Sequence, residues 1–145
     1  MDVKTGNGAF AASMENAAEL ASKIVVVGDS LGLPVTALIT DMSQVLGSSA
    51  GNAVEVAEAI DYLTGGQKHA RLHEVVISLG SELLLLAGIV DDLRQGNDLL
   101  VEKLEDGTAA ETFARMVNAS GGPSDLIDRP LAYLTKASVI CPVYP

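Results

Sequence analysis

The chain has 145 residues, enough for one compact domain that buries most of its apolar surface. Hydrophobic residues make up 48% and charged residues 19%, with no low-complexity tract, which argues against a disordered chain. Nineteen acidic against nine basic side chains give a formal net charge of −10, and the basic residues are scattered, which argues against nucleic acid as a partner.

Aromatic residues are only 3% of the chain and Trp is absent, so the core has to be built from Leu, Val, Ile and Ala. That composition suits helices packed on a sheet. The single Cys141 cannot close an internal disulfide, which fits a reducing compartment. No apolar signal core follows the opening MDVKTGNG, and the longest apolar run, residues 83–90, is too short to cross a bilayer. A soluble cytoplasmic protein with no membrane partner is the expectation.

Residues 1–5 are extended in character, and the GNG of residues 6–8 ends the run. Ser13 is a good N-cap, with Glu15 in the first turn of the helix it opens. Met14, Ala17, Ala18, Ala21, Ile24, Val25 and Leu31 recur at three and four residues and make one apolar face. Gly32 suits a helix stop and Pro34 blocks continuation. Residues 35–40, VTALIT, read as a buried strand. Strand, helix and strand within about forty residues make a βαβ unit with parallel strands, whose carboxyl-end loops are where open α/β sheets bind ligands. Both GNGAF and DMSQVLGSSAG lie at those ends.

A mainly helical segment follows. Asn52 with Glu55 reads as a capping box, and Gly65-Gly66 ends that helix. Leu72, Val75, Val76, Leu79, Leu83 and Leu86 predict a second helix, buried over much of its circumference. Two shorter helices are expected near 91–106 and 108–119, before Gly121-Gly122-Pro123. The tail KASVICPVYP reads either as one more strand from about Ala137, or as no sheet at all, because of Pro142 and Pro145. The fold class is therefore α/β: a small parallel or mixed sheet with a βαβ unit at the N-terminus, then a mainly helical stretch.

Local chemistry gives no assembled catalytic centre. Gly6 and Gly8 match the first two glycines of a dinucleotide fingerprint, but position 11 is Ala and no acidic partner ends a second strand at the expected distance. They read as a strand-to-loop turn needing φ > 0. His69 and His73 stand at i and i+4, a spacing open to a metal, but without HExxH, Cys or a third His they read as surface histidines at a helix start. Cys141 has no neighbouring His or cation in sequence to activate it. The loop after the second strand differs in kind. Carbonyls of a Gly/Ser-rich turn, with a carboxylate on the next helix, are hard oxygen ligands for a cation. Glu58, one turn after Glu55, is such a carboxylate, and a solvated helix start is the other reading of it.

MDVKTGNGAF, then TDMSQVLGSSAGNAVEVAEAIDYLTG, RLHEVVISLGSELLLLAG, GTAAETFARMVNASGGPSDL and the TKA of residues 135–137 resemble the pyrimidine-nucleoside phosphorylase and thymidine phosphorylase family. The resemblance covers nearly the whole chain. It implies a dimeric enzyme with a small helical domain and a larger α/β domain across a cleft. Such enzymes cleave thymidine, uridine or deoxyuridine with phosphate to the free base and a pentose 1-phosphate. It further implies that residues 1–145 form a single partial α/β domain, with the N-terminal helical domain and the C-terminal part absent.

On that comparison the Lys-His-Ser phosphate loop and the Arg, Ser and Lys that grip the pyrimidine lie upstream of Asp2. No catalytic or substrate-binding residue is therefore carried over, and the chain is expected to be inactive alone. One family site does map here: a potassium-like monovalent cation whose ligands align with the carbonyls of Leu46 and Ser49 and the carboxylate of Glu58. Ser49 stands where other members have Ala, which is no obstacle to a main-chain ligand. The resemblance also places GNGAF at a mobile junction near the cleft. Expected partners are a nucleoside and phosphate, with a homo-oligomer open. Two other readings stay in view: a non-catalytic interaction or structural fragment, and a phosphoribosyltransferase-like protein of similar two-domain plan.

Overall fold

Strands β1 (Asp2–Thr5) and β2 (Leu38–Asp41) pair in parallel in a computed structural model that describes residues 1–144. The register sets Asp2 against Leu38, Val3 against Ile39, Lys4 against Thr40 and Thr5 against Asp41. Between them runs helix α1 (Met14–Ser30), which gives the expected strand–helix–strand unit. Ser13 caps α1 by accepting from the Asn16 amide at 3.2 Å, and Gly32, at φ +69°, carries the chain out of it.

The second strand starts three residues later than the VTALIT run predicts. Register sets that start: Asp2 faces Leu38, and the strand pairing begins with that pair. Just before it, the Met1 carbonyl accepts from Leu38 N at 2.9 Å.

The residues group into two compact units, the first made of residues 1–48 and 68–103 and the second of residues 49–67 and 104–145. In the first, Val3, Ala11, Ala17 and Ala21 form the buried cluster, with Ile24, Ala37 and Ile39 packed against it. Two alanines on the inner face let α1 sit close to a sheet of only two strands. Helix α2 (Asn52–Leu63) lies in the second unit. Helix α3 (Ala70–Leu86) lies in the first, as does helix α4 (Leu93–Glu105) up to Lys103. Ser81 of α3 is buried, its hydroxyl 2.7 Å from Ile77 O and 2.5 Å from Asn97 Oδ1 of α4. Gly96 lets the helices approach there, since a Cβ on it would stand 3.0 Å from Ser81 Cβ.

The expected burial of α3 around its circumference does not hold. Ile77 and Ser81 are buried, but Val76, Leu83 and Leu86 are exposed. An apolar pattern reports which face prefers to leave water. It does not supply a partner.

In the second unit α2 meets α5 (Thr108–Ala119), and Ile60, Tyr62, Leu104 and Leu126 are buried. The capping of α2 is shifted by one residue from the expected box. Gly51 at φ +137° is the N-cap, and Glu55 Oε1 accepts from its amide at 2.9 Å. A short helix, α6 (Pro130–Tyr133), was not legible in sequence; Tyr133 donates its hydroxyl to Asp125 Oδ1 at 2.6 Å. Of the readings of the tail, the one without a sheet holds: residues 137–144 form no strand, and Val139, Ile140, Val143 and Tyr144 are exposed. Pro142 has no amide to give a ladder.

Candidate functional site at the carboxyl edge of the strands

Parallel pairing brings the carboxyl ends of both strands, Thr5 and Asp41, to one edge of the sheet. In open α/β sheets that edge is where ligands bind. Two loops leave it: residues 6–13 into α1 and residues 42–51 toward α2.

The first loop turns at Gly6 (φ +100°) and Gly8 (φ +83°), both in the region the GNG reading required. At Gly6 there is also no space: a Cβ would stand 2.3 Å from Ser43 Oγ and 2.8 Å from Asp41 Oδ1. Hydrogen bonds join the loops where they touch. The Asn7 amide donates to Ser43 Oγ at 3.2 Å, and the Met42 amide donates to Thr5 O at 2.6 Å.

Asp41 is the pivot of the second loop. Its Oδ1 accepts from the Ser43 amide at 2.7 Å, while Arg71, in the first turn of α3, grips its other side. Arg71 Nη2 donates to Asp41 O at 2.7 Å and to Asp41 Oδ2 at 3.2 Å, and Nη1 donates to Gln44 Oε1 at 3.1 Å. The Ser43 hydrogen bonds first, and the Arg71 hydrogen bond and charge after them, hold the Asp41 carboxyl below its ordinary pKa. Arg71 Nε is buried and has no hydrogen-bond partner among the described residues. Beside it opens a cleft of about 300 Å³, lined by Thr40, Arg71, Glu74 and Ser78 with apolar residues of β2 and α3.

At the outer end of the ladder, Asp2 binds Lys4 Nζ at 2.6 Å and accepts from the Thr40 hydroxyl at 2.6 Å. Burial alone would raise the Asp2 carboxyl, but the hydrogen bonds from Lys4 and Thr40, with the Lys4 charge, outweigh it and bring the pKa down.

Of the three expected cation ligands, Ser49 and Glu58 come together in the second unit, where the Ser49 amide donates to Glu58 Oε2 at 3.0 Å. Leu46 belongs to the first unit, and because its side chain carries no donor atom only its carbonyl could serve. A carbonyl and a carboxylate are oxygen donors of the kind hard cations take. His69 and His73 lie in the first unit and both have interaction partners, and no group of three or more His, Cys, Asp or Glu side chains suited to a metal occurs among the described residues. Cys141 is exposed.

Sequence reasoning missed Arg71. It stands inside HARLHE, where the histidine spacing drew attention, and its partner Asp41 lies thirty residues earlier. No local pattern encodes such a pair.

Residues 1–110 match the model of the glycosyl transferase family, a/b domain. The chain belongs to that family. A thymidine phosphorylase of Burkholderia lata is 52% identical over 143 residues, which is 99% of this chain and 33% of the relative. Thymidine phosphorylases of Burkholderia cenocepacia and Burkholderia orbicola show the same identity and coverage. The resemblance to the pyrimidine-nucleoside and thymidine phosphorylases is borne out. The chain spans about a third of the length of these relatives. No helix among the described residues is long and apolar enough to cross a membrane.

Proposed function

We propose that this chain supplies part of the α/β domain of a pyrimidine-nucleoside phosphorylase. In that reaction a phosphate oxygen forms a bond to C1 of the pentose, the bond from C1 to the base nitrogen breaks, and the base leaves with the electron pair. The products are the free base and a pentose 1-phosphate. The observation that carries this reading is the identity of 52% to thymidine phosphorylases along 99% of the chain.

The chain's own part is positioning. Its carboxyl-edge loops form one wall of an anion and cation pocket, and none of its residues is assigned to bond breaking. Ser49 and Leu46 offer carbonyls and Glu58 a carboxylate to a potassium-like cation, whose charge would favour phosphate nearby. The Ser49 amide bond to Glu58 supports this, because it fixes the carboxylate beside the backbone meant to share the ion. Residues 1–145 are read as one partial α/β domain, with the base-gripping groups on other stretches of such an enzyme. The substrates are a pyrimidine nucleoside and phosphate in the cytoplasm, and the assembly is a homo-oligomer.

A chimera tests this directly: the matched third of the Burkholderia lata enzyme is replaced by this chain. Phosphate-dependent release of thymine from thymidine, or of uracil from uridine, supports the reading. A folded chimera that releases neither removes it.

A second reading, a fragment that acts by association, is favoured by the exposed apolar side chains. Val26 and Val27 of α1, Leu83 and Leu86 of α3, and Ile140 and Val143 of the tail all face solvent. Light scattering decides: reversible self-association of the 145-residue chain favours it, and a monomer at high concentration counts against it.

A further inference from the structure

Arg71 is the residue at this edge that no motif explains. Its fork spans the end of β2 and the loop beyond it, with three donated bonds to Asp41 O, Asp41 Oδ2 and Gln44 Oε1 at 2.7, 3.2 and 3.1 Å. The grip continues through Asp41. The carboxylate oxygen not facing Arg71 takes the Ser43 amide at 2.7 Å, Ser43 Oγ takes the Asn7 amide at 3.2 Å, and Gly6 is packed against both Asp41 and Ser43. One guanidinium on α3 therefore reaches, through two intervening residues, the loop that follows β1.

Arg71 and Asp41 are themselves partly exposed, and as an ion pair alone they would contribute little. The Nε atom, by contrast, is buried without a partner, an arrangement that carries a desolvation cost. The planar fork also matters. It satisfies a carbonyl, a carboxylate and an amide oxygen at once, which a Lys ammonium on its flexible stem does not reproduce.

We propose that Arg71 is a positioning residue for the ligand-bearing edge: through Asp41 and Ser43 it holds the loop after β1 and the loop after β2 in one fixed arrangement. Resting on the phosphorylase reading above, this makes Arg71 a determinant of phosphate affinity without contact to phosphate.

Two measurements test it. In the 145-residue chain, amide exchange is followed by NMR in Arg71→Met and Arg71→Lys. Loss of charge-assisted bonds of this type is expected to speed exchange at Asn7 and Ser43 by about tenfold in Arg71→Met, and less in Arg71→Lys. Leu38, bonded to Met1 O, and Ala17, bonded to Ser13 O, should not change. Unaltered exchange at Asn7 and Ser43, or equal acceleration at all four amides, overturns the proposal. Should Arg71→Met not fold, Asp41→Asn and Gln44→Ala decide by the same selective pattern.

In the chimera, Arg71→Met is expected to raise the KM for phosphate about tenfold with kcat changed far less, and Arg71→Lys to recover part of it. Faster exchange with an unchanged phosphate KM reduces Arg71 to a structural tie and overturns the positioning role. An inactive unsubstituted chimera removes the phosphorylase reading instead, and exchange at Asn7 and Ser43 then decides the loop-holding claim by itself.

Discussion

The Ser49 amide donates to Glu58 Oε2 at 3.0 Å, so a loop residue and a helix residue nine positions apart share one hydrogen bond. If Glu58 also serves a cation, Glu58→Gln keeps an oxygen acceptor for Ser49 but removes the charge. In the chimera this variant is expected to lose activation by potassium while its melting temperature changes little, and Glu58→Ala to lose both. Potassium dependence equal to the parent's in Glu58→Gln would remove Glu58 from the cation site.

Gly6 and Gly8 separate conformation from space. Both have positive φ, but a Cβ at Gly8 meets nothing within 4 Å, whereas one at Gly6 meets Ser43 and Asp41. Gly8→Ala is expected to cost about 1 kcal/mol, the strain of a non-glycine residue in that region. Gly6→Ala adds a backbone and side-chain displacement, for a total of about 2–4 kcal/mol. Chemical denaturation of both variants gives the comparison, and equal losses would contradict the close approach of the two loops.

Acid should loosen both ends of the strand pair. Asp41 and Asp2 have folded-state pKa values below their ordinary ones. The unfolded chain therefore binds protons first as pH falls, and stability drops with it. The contribution is complete above the unfolded carboxylate value, about 3.9, and is lost as pH falls through the lower folded values. Asp41→Asn is expected to flatten the stability-versus-pH slope in that window and leave it unchanged near neutrality. Denaturant midpoints between acid and neutral pH measure it.

The contact of α3 with α4 offers a control away from the edge. Gly96→Ala brings a methyl to about 3 Å of Ser81 and is expected to cost about 1–3 kcal/mol by overpacking. Ser81→Ala leaves Asn97 without its partner and should cost about 1–2 kcal/mol. Neither should alter amide exchange at Asn7 or Ser43. Thermal melts and the same NMR experiment check this.

Local signals carried much of the fold. Ser13 and Gly32 mark α1, Gly65 the end of α2, and Gly121 the end of α5, because capping and positive φ are chemistry of neighbouring residues. What failed was decided by pairing and cover. β2 begins only where its pairing with Asp2 begins, and α3 keeps Leu83 exposed although its pattern favours burial. At the candidate site Gly6 and the Ser/Gly loop were visible as turn chemistry. The Arg71–Asp41 grip was not, since it joins residues that meet only after the βαβ unit and α3 have formed.

The central claim is that this chain orients a phosphorolysis site whose reacting groups it does not itself supply. The most direct measurement is phosphate-dependent thymine release from thymidine by the 145-residue chain and by the chimera, side by side. The account predicts turnover by the chimera and none by the chain. Turnover by the chain alone, or a folded chimera without turnover, would contradict it.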